Sequence, residues 1–126
     1  MSPNQSTDAA LNGIRVIDFS RIVAGPHCTM CLADFGADVI KVEDTGKGDD
    51  LRSHKPPHIK CDSPYFLSLN RNKRSISINM AEPDGQAVIH DLLATADVLV
   101  ENFRTGVMEK YGVGYEDIKA RYPRLV

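Results

Sequence analysis

Four short runs rich in β-branched residues recur along the chain: "IRVIDF" (14–19), "ADVIKVE" (37–43), "RSISINM" (74–80) and "DVLVENF" (97–103). Helical patterns fill the intervals between most of them. This alternation constrains the fold more than any other feature. Strand, helix and strand in succession favour a parallel sheet, because the returning crossover needs an element of its own. "PHCTMCLADF" (26–35) has Pro26 where a first helical turn accepts proline. "EPDGQAVIHDLLATA" opens at Pro83 and Asp84 and aligns Val88, Ile89, Leu92, Leu93 and Ala96 on one face. "TGVMEKYG" and "YEDIKARYP" read as short helices bounded by Gly or Pro. Asp44 to Pro64 lacks periodicity and reads as a long loop, a kind of segment that is usually functional or disordered. "RYPRLV" reads as a turn followed by the start of another apolar run. The expected fold is therefore α/β, a mostly parallel sheet with helices on both faces. Strand order is not readable.

With 126 residues the chain has the size of one domain. The first ten, "MSPNQSTDAA", are polar and read as a disordered tail, leaving 11–126 as the domain. They lack the pattern of a signal or transit peptide. A formal net charge of −2 gives no field that would recruit nucleic acid or an anionic membrane. No apolar run approaches the roughly 20 residues that span a bilayer. Three cysteines do not make a disulfide framework and fit a reducing compartment. The expected location is the cytoplasm, with the mitochondrial matrix as the other open compartment.

Ligands of parallel α/β sheets sit at the carboxyl ends of the strands. "SRIVAGP", "VEDTGKGDD", "NMAEP" and "ENFRTG" fall there. The first turn has one Gly-Pro pair where a dinucleotide fold needs several glycines, so nicotinamide cofactors are disfavoured. Glu43 reads as a solvated strand end. Cys28-Thr-Met-Cys31 has redox spacing at a helix start, and zinc would draw on His27, His54, His58 or Cys61. The favoured reading is buried structural thiols, with no metal. Between Arg52 and Arg74 basic residues prevail, and "NRNKRS" is either a solvated face or a holder of a phosphate-rich ligand. Serine elbow, zincin and P-loop motifs are lacking.

The segments "LNGIRVIDFSRIVAGP", "LADFGADVIKVE", "GKGDDLR", "PYFLSLNRNKRSISIN" and "ADVLVENFRTGVMEKYGVGYEDI" occur in this order. Together they resemble the amino-terminal part of the class III coenzyme A transferases, the group that includes formyl-CoA transferase and α-methylacyl-CoA racemase. The resemblance runs from Leu11 to Val126. It implies the first, incomplete part of a Rossmann-like domain that binds CoA, in an interlocked homodimer of longer chains. It also implies an acyl-CoA and a small carboxylic acid as partners, with no nucleic acid or membrane. Transferases of the group use an Asp that attacks the thioester and forms a mixed anhydride. An incoming carboxylate takes over the acyl-enzyme, and CoA returns to the new acid. Racemases of the group move the α-proton with a His and an Asp.

Both kinds of catalytic residue lie, in the family, past the matched stretch, so no catalytic residue is assigned here. The resemblance places Ile22, Val23 and Ala24 beside the thioester and pantetheine arm, and Ile78, Asn79 and Met80 near the nucleotide. It brings Asn102, Phe103 and Arg104 to the CoA arm and gives Lys110 a phosphate contact. Val23 stands where formyl-CoA transferase has Gln, which disfavours formyl and oxalate. Asp44 stands where that relative stacks an Arg on adenine, so adenine recognition is expected to differ or to come from neighbours such as Arg52. Larger dicarboxylic acids are the expected acceptors. The alternatives are an α-methylacyl-CoA racemase, a catalytically inactive CoA-binding remnant and a redox protein.

Overall fold

A computed structural model describes residues 8–54, 57, 59–60 and 62–126. Four parallel strands form one sheet: β1 (Arg15–Asp18), β2 (Asp38–Glu43), β3 (Arg74–Ser77) and β4 (Val98–Val100). Their order is β3-β2-β1-β4. The chain therefore walks outward from β1 through β2 to β3, then returns to the other side of β1. Register is set by pairs such as Val16 with Val39, Val16 with Val98 and Val42 with Ile76. Beyond β4, Val126 N donates to Asp97 O and Leu99 N donates to Val126 O. The apolar run expected after Tyr122-Pro123 thus begins a ladder against β4.

Among the described residues five α-helices accompany the sheet: α1 (Ala24–Asp34), α2 (Pro64–Leu69), α3 (Pro83–Leu93), α4 (Val107–Lys110) and α5 (Tyr115–Ile118). Alternation along the strands divides the core between two faces. Ile17, Phe19, Ile40 and Val42 pack with Ile89 and Leu93 of α3. Val16 and Val39 pack with Ala33 of α1 and with Ala37. Helices on both faces agree with the alternation read from the sequence.

Two details depart from that reading. Val88 was expected on the buried face of α3 but is 40% exposed, because Ile89 and Leu93 define the face that meets the sheet. The stretch read as a long loop contains a 3-10 turn (Asp50–Ser53) and leads into α2. Ser63 caps α2, its Oγ accepting from Phe66 N at 3.0 Å, and Pro64 occupies the first turn. Phe66 and Leu69 then cover Leu51 in a small third cluster.

Helix α3 is brought hard against the end of β3. A Cβ at Gly85 would lie 1.9 Å from Asn79 O, so only glycine fits at this point. Among the described residues no helix is long and apolar enough to cross a membrane.

Candidate functional site

The carboxyl ends of all four strands open onto a groove of about 450 Å³. Phe19 follows β1 in its wall, Glu43 and Asp44 close β2, Ile78 to Ala81 follow β3, and Phe103 and Arg104 follow β4. Arg21 and Tyr111 complete the lining that matters here. This is the position where sheets of this class bind ligands, next to the strand at which the order reverses. A hollow of similar size, about 470 Å³, lies between β4 and the helices α4 and α5, among Leu99, Met108, Ile118 and Tyr122. It shares Phe103 and Arg104 but touches none of the other strand ends, so the first groove is the better candidate.

The turn after β1 forms one lip of the groove, and side chains from distant elements hold its backbone. Ser20 N donates to Asp18 Oδ1 at 2.9 Å. Ser20 O accepts from Lys41 Nζ at 2.7 Å. Asn102 makes a two-point clamp on Arg21, accepting from its N–H and donating to its carbonyl, both at 2.8 Å. Ile22 N donates to Asp49 Oδ1 at 3.1 Å. Ile22 has φ of 69°, in the left-handed region. For a β-branched residue that conformation costs roughly 1–3 kcal/mol. The Arg21 guanidinium then lies 4.7 Å from the centre of the Phe103 ring and 3.4 Å from Asp50 Oδ2.

Beneath the turn, the face of the sheet toward α1 is charged at its upper end. Asp18, Lys41, Glu43 and Asp49 are all buried. Lys41 Nζ pairs with Asp49 Oδ2 at 2.8 Å. Lys73 Nζ lies 3.1 Å from Asp18 Oδ2 and donates to Pro26 O and Asn70 Oδ1, each at 2.9 Å. Burial pushes the Lys73 ammonium down in pKa, against the attraction of Asp18. Thr29 Oγ1 adds a 2.6 Å bond to Asp18 Oδ2. Glu43 receives Arg52 through two 2.7 Å bonds, Ser75 Oγ at 2.7 Å and Asp49 N at 3.0 Å. Burial alone would raise the Glu43 pKa, but the bonds from Arg52, Ser75 and the Asp49 amide prevail and lower it to about 2. Glu43 is therefore no solvated strand end. Sequence patterning missed this network because alternation marks a face without saying whether its polar members have partners.

The expected site residues are gathered in part. Ile78, Asn79, Met80, Phe103 and Arg104 line one groove. Ile22, Val23 and Ala24 lie in the adjoining turn and first turn of α1, and Asn102 is engaged with the Arg21 backbone. Lys110 lies on α4 with its ammonium 5.4 Å from the Tyr111 ring centre and is not in the lining. Asp44 sits on the lip, where its Oδ1 accepts from Gly46 N at 2.8 Å and Lys47 N at 3.2 Å. Arg52 is not in the groove lining. It is bound to Glu43 and Asp62 and stacked 3.8 Å over Phe66. Arg21 was not singled out in advance, although it immediately precedes the expected turn.

The basic run and the cysteines also need correction. Arg71 and Asn72 bind Asp34, Lys73 binds Asp18, and Arg74 binds Asp38. The cations of "NRNKRS" are paired with carboxylates within the fold, and none of them lines the groove. Cys28 is exposed on α1 and Cys31 is half-buried, 4.0 Å from His27 Nε2, so they are not buried packing thiols. His58 and Cys61 of the zinc alternative lie outside the described residues. Among the described residues no cluster of three or more His, Cys, Asp or Glu could hold a metal.

The fold defines a parallel α/β domain with a groove across its strand ends. Residues 11–126 match the model of CoA-transferase family III, and the chain belongs to that family. It is 48% identical over 116 residues to a succinyl-CoA:glutarate CoA-transferase of Mus musculus, covering 92% of this chain and 27% of that protein. It is 49% identical over 117 residues to a formyl-CoA:oxalate CoA-transferase of Rhodopseudomonas palustris, covering 93% and 28%. A CAIB/BAIF family protein from Brucella suis superposes with a TM-score of 0.87 at 41% identity, covering 94% and 32%. The chain thus spans about a quarter to a third of the length of these relatives.

Proposed function

We propose that this chain supplies the CoA-binding shelf of an enzyme that moves CoA from an acyl-CoA to a free carboxylic acid. The observation that carries the reading is the groove at the strand ends, where Ile78, Met80, Phe19 and Phe103 meet Arg21 and Arg104. An apolar floor suits the pantetheine arm, and guanidinium groups at the rim suit phosphates through charge-assisted bonds. The two relatives' names, one for succinate and glutarate and one for formate and oxalate, support dicarboxylate acceptors. Val23 has no side-chain donor for a small acyl group, which favours the larger pair.

In the full-length protein, an aspartate outside this chain attacks the thioester carbonyl, the C–S bond breaks and CoA leaves as thiolate. The acceptor carboxylate then attacks the aspartyl carbonyl of the mixed anhydride, the donor acid leaves as its carboxylate, and the thiolate attacks the acceptor's acyl carbonyl, forming the new CoA thioester and freeing the aspartate. No residue of this chain is assigned to that chemistry. Its side chains bind and orient.

The test is transfer by the purified full-length protein. Succinyl-CoA with glutarate is expected to give glutaryl-CoA, followed by chromatography, and Arg104→Ala is expected to weaken CoA binding at least fivefold. Exchange of the α-proton for deuterium without transfer would instead establish the racemase reading. A full-length protein without affinity for CoA would overturn both.

A further inference from the structure

The turn after β1 invests heavily in a costly shape. A glycine at position 22 would adopt the left-handed conformation freely, yet the chain places a β-branched residue there. The backbone groups of Ser20, Arg21 and Ile22 are instead tied by Lys41 from β2, Asp49 from the following loop and Asn102 from the segment after β4. Asp49 itself is fixed, because its Oδ2 pairs with Lys41 and its Oδ1 also accepts from Leu51 N at 2.9 Å. A Cβ at Gly25 would come within 2.2 Å of Ser20 Cβ, so the first turn of α1 presses on the same loop from behind. What the restrained backbone presents is Arg21, in the groove wall and over Phe103.

We infer that Asp49, with its partner Lys41, and Asn102 are positioning residues for CoA. They act through the Ser20–Ile22 backbone to set Arg21 in the groove. Asn102 accordingly works by clamping Arg21, a role different from the direct ligand contact expected for it. This inference rests on the groove being the CoA site.

A double-mutant cycle on the full-length protein tests it, with CoA affinity read by calorimetry. Asp49→Ala is expected to weaken CoA binding at least tenfold in the parent background. In an Ile22→Gly background the same change is expected to cost less than threefold, because glycine keeps the left-handed φ without help. Asp49→Asn, which retains an acceptor for Ile22 N–H but gives up the ion pair with Lys41, is expected to lose less affinity than Asp49→Ala. Should Asp49→Ala fail to fold, the exposed Asn102 enters the same cycle as Asn102→Ala, where a direct ligand contact would give equal losses in both backgrounds. Equal losses in both backgrounds, or an Asp49→Asn loss as large as that of alanine, overturn the inference while leaving the CoA site intact. A parent protein that does not bind CoA overturns the site itself.

Discussion

Toward α3 the strands present Ile17, Phe19, Ile40 and Val42 to Ile89 and Leu93. Toward α1 the same strands, one residue out of step, present Asp18, Lys41 and Glu43 at the end where the groove opens. Both faces are buried, but they are held by different physics. The α3 face needs matching volume, since apolar contact has no direction. The α1 face needs partners at set distances, because a buried charge without one is costly. The lesson is positional. The directional interactions lie under the turn that forms the groove lip, where geometry matters most, while the α3 face and the rest of the α1 face, at Val16, Val39 and Ala33, are held by contact without direction.

The contrast can be broken most forcefully at Asp18. Asp18→Ala strands the Lys73 ammonium and removes the acceptor used by Thr29 and Ser20. The expected loss is about 3–5 kcal/mol in urea unfolding, as for other buried pairs cut on one side. A loss under about 1 kcal/mol would show that the charged face is not structurally coupled.

Acid should act on the charged face. The Glu43 pKa is lowered from an ordinary 4.5 to about 2. Its contribution is thus fully present above about 4.5 and is lost as pH falls toward 2, amounting to something of order 3 kcal/mol. Urea midpoints should fall through that window, and Glu43→Gln should flatten the fall. An unchanged slope in that variant would remove Glu43 from the account.

The smallest effect sharpens the comparison from the other side. Ile89→Val deletes one methylene from the fully buried α3 contact. It should cost about 0.5–1.5 kcal/mol, by the same amount at pH 7 and pH 4. A pH-dependent cost would mean that the two faces are not independent.

Much of the fold was legible because β-branched runs such as the one in β2 and the Ile89–Leu93 spacing mark buried elements directly. The order of the strands was not, since it depends on which edges meet in space. The candidate groove was legible in the four segments expected at the carboxyl ends of the strands, and the family resemblance picked out residues within them. Its charged support was illegible: Glu43 and Arg52 are neighbours across a loop, and Lys73 meets Asp18 from another crossover. No local pattern announces such pairings. The "NRNKRS" run misled for the same reason, as its partners Asp34 and Asp38 lie on other elements.

Gly85 deserves its place in any redesign of this domain, though it faces no ligand. With the Asn79 carbonyl only 1.9 Å from where a methyl would stand, helix and strand-end meet here without any spacer. Anything bulkier would wedge the two apart and transmit the displacement to Asn79 and Met80 on the far side. The width of the groove is therefore gauged from its back wall, by a position that contributes no atoms to it.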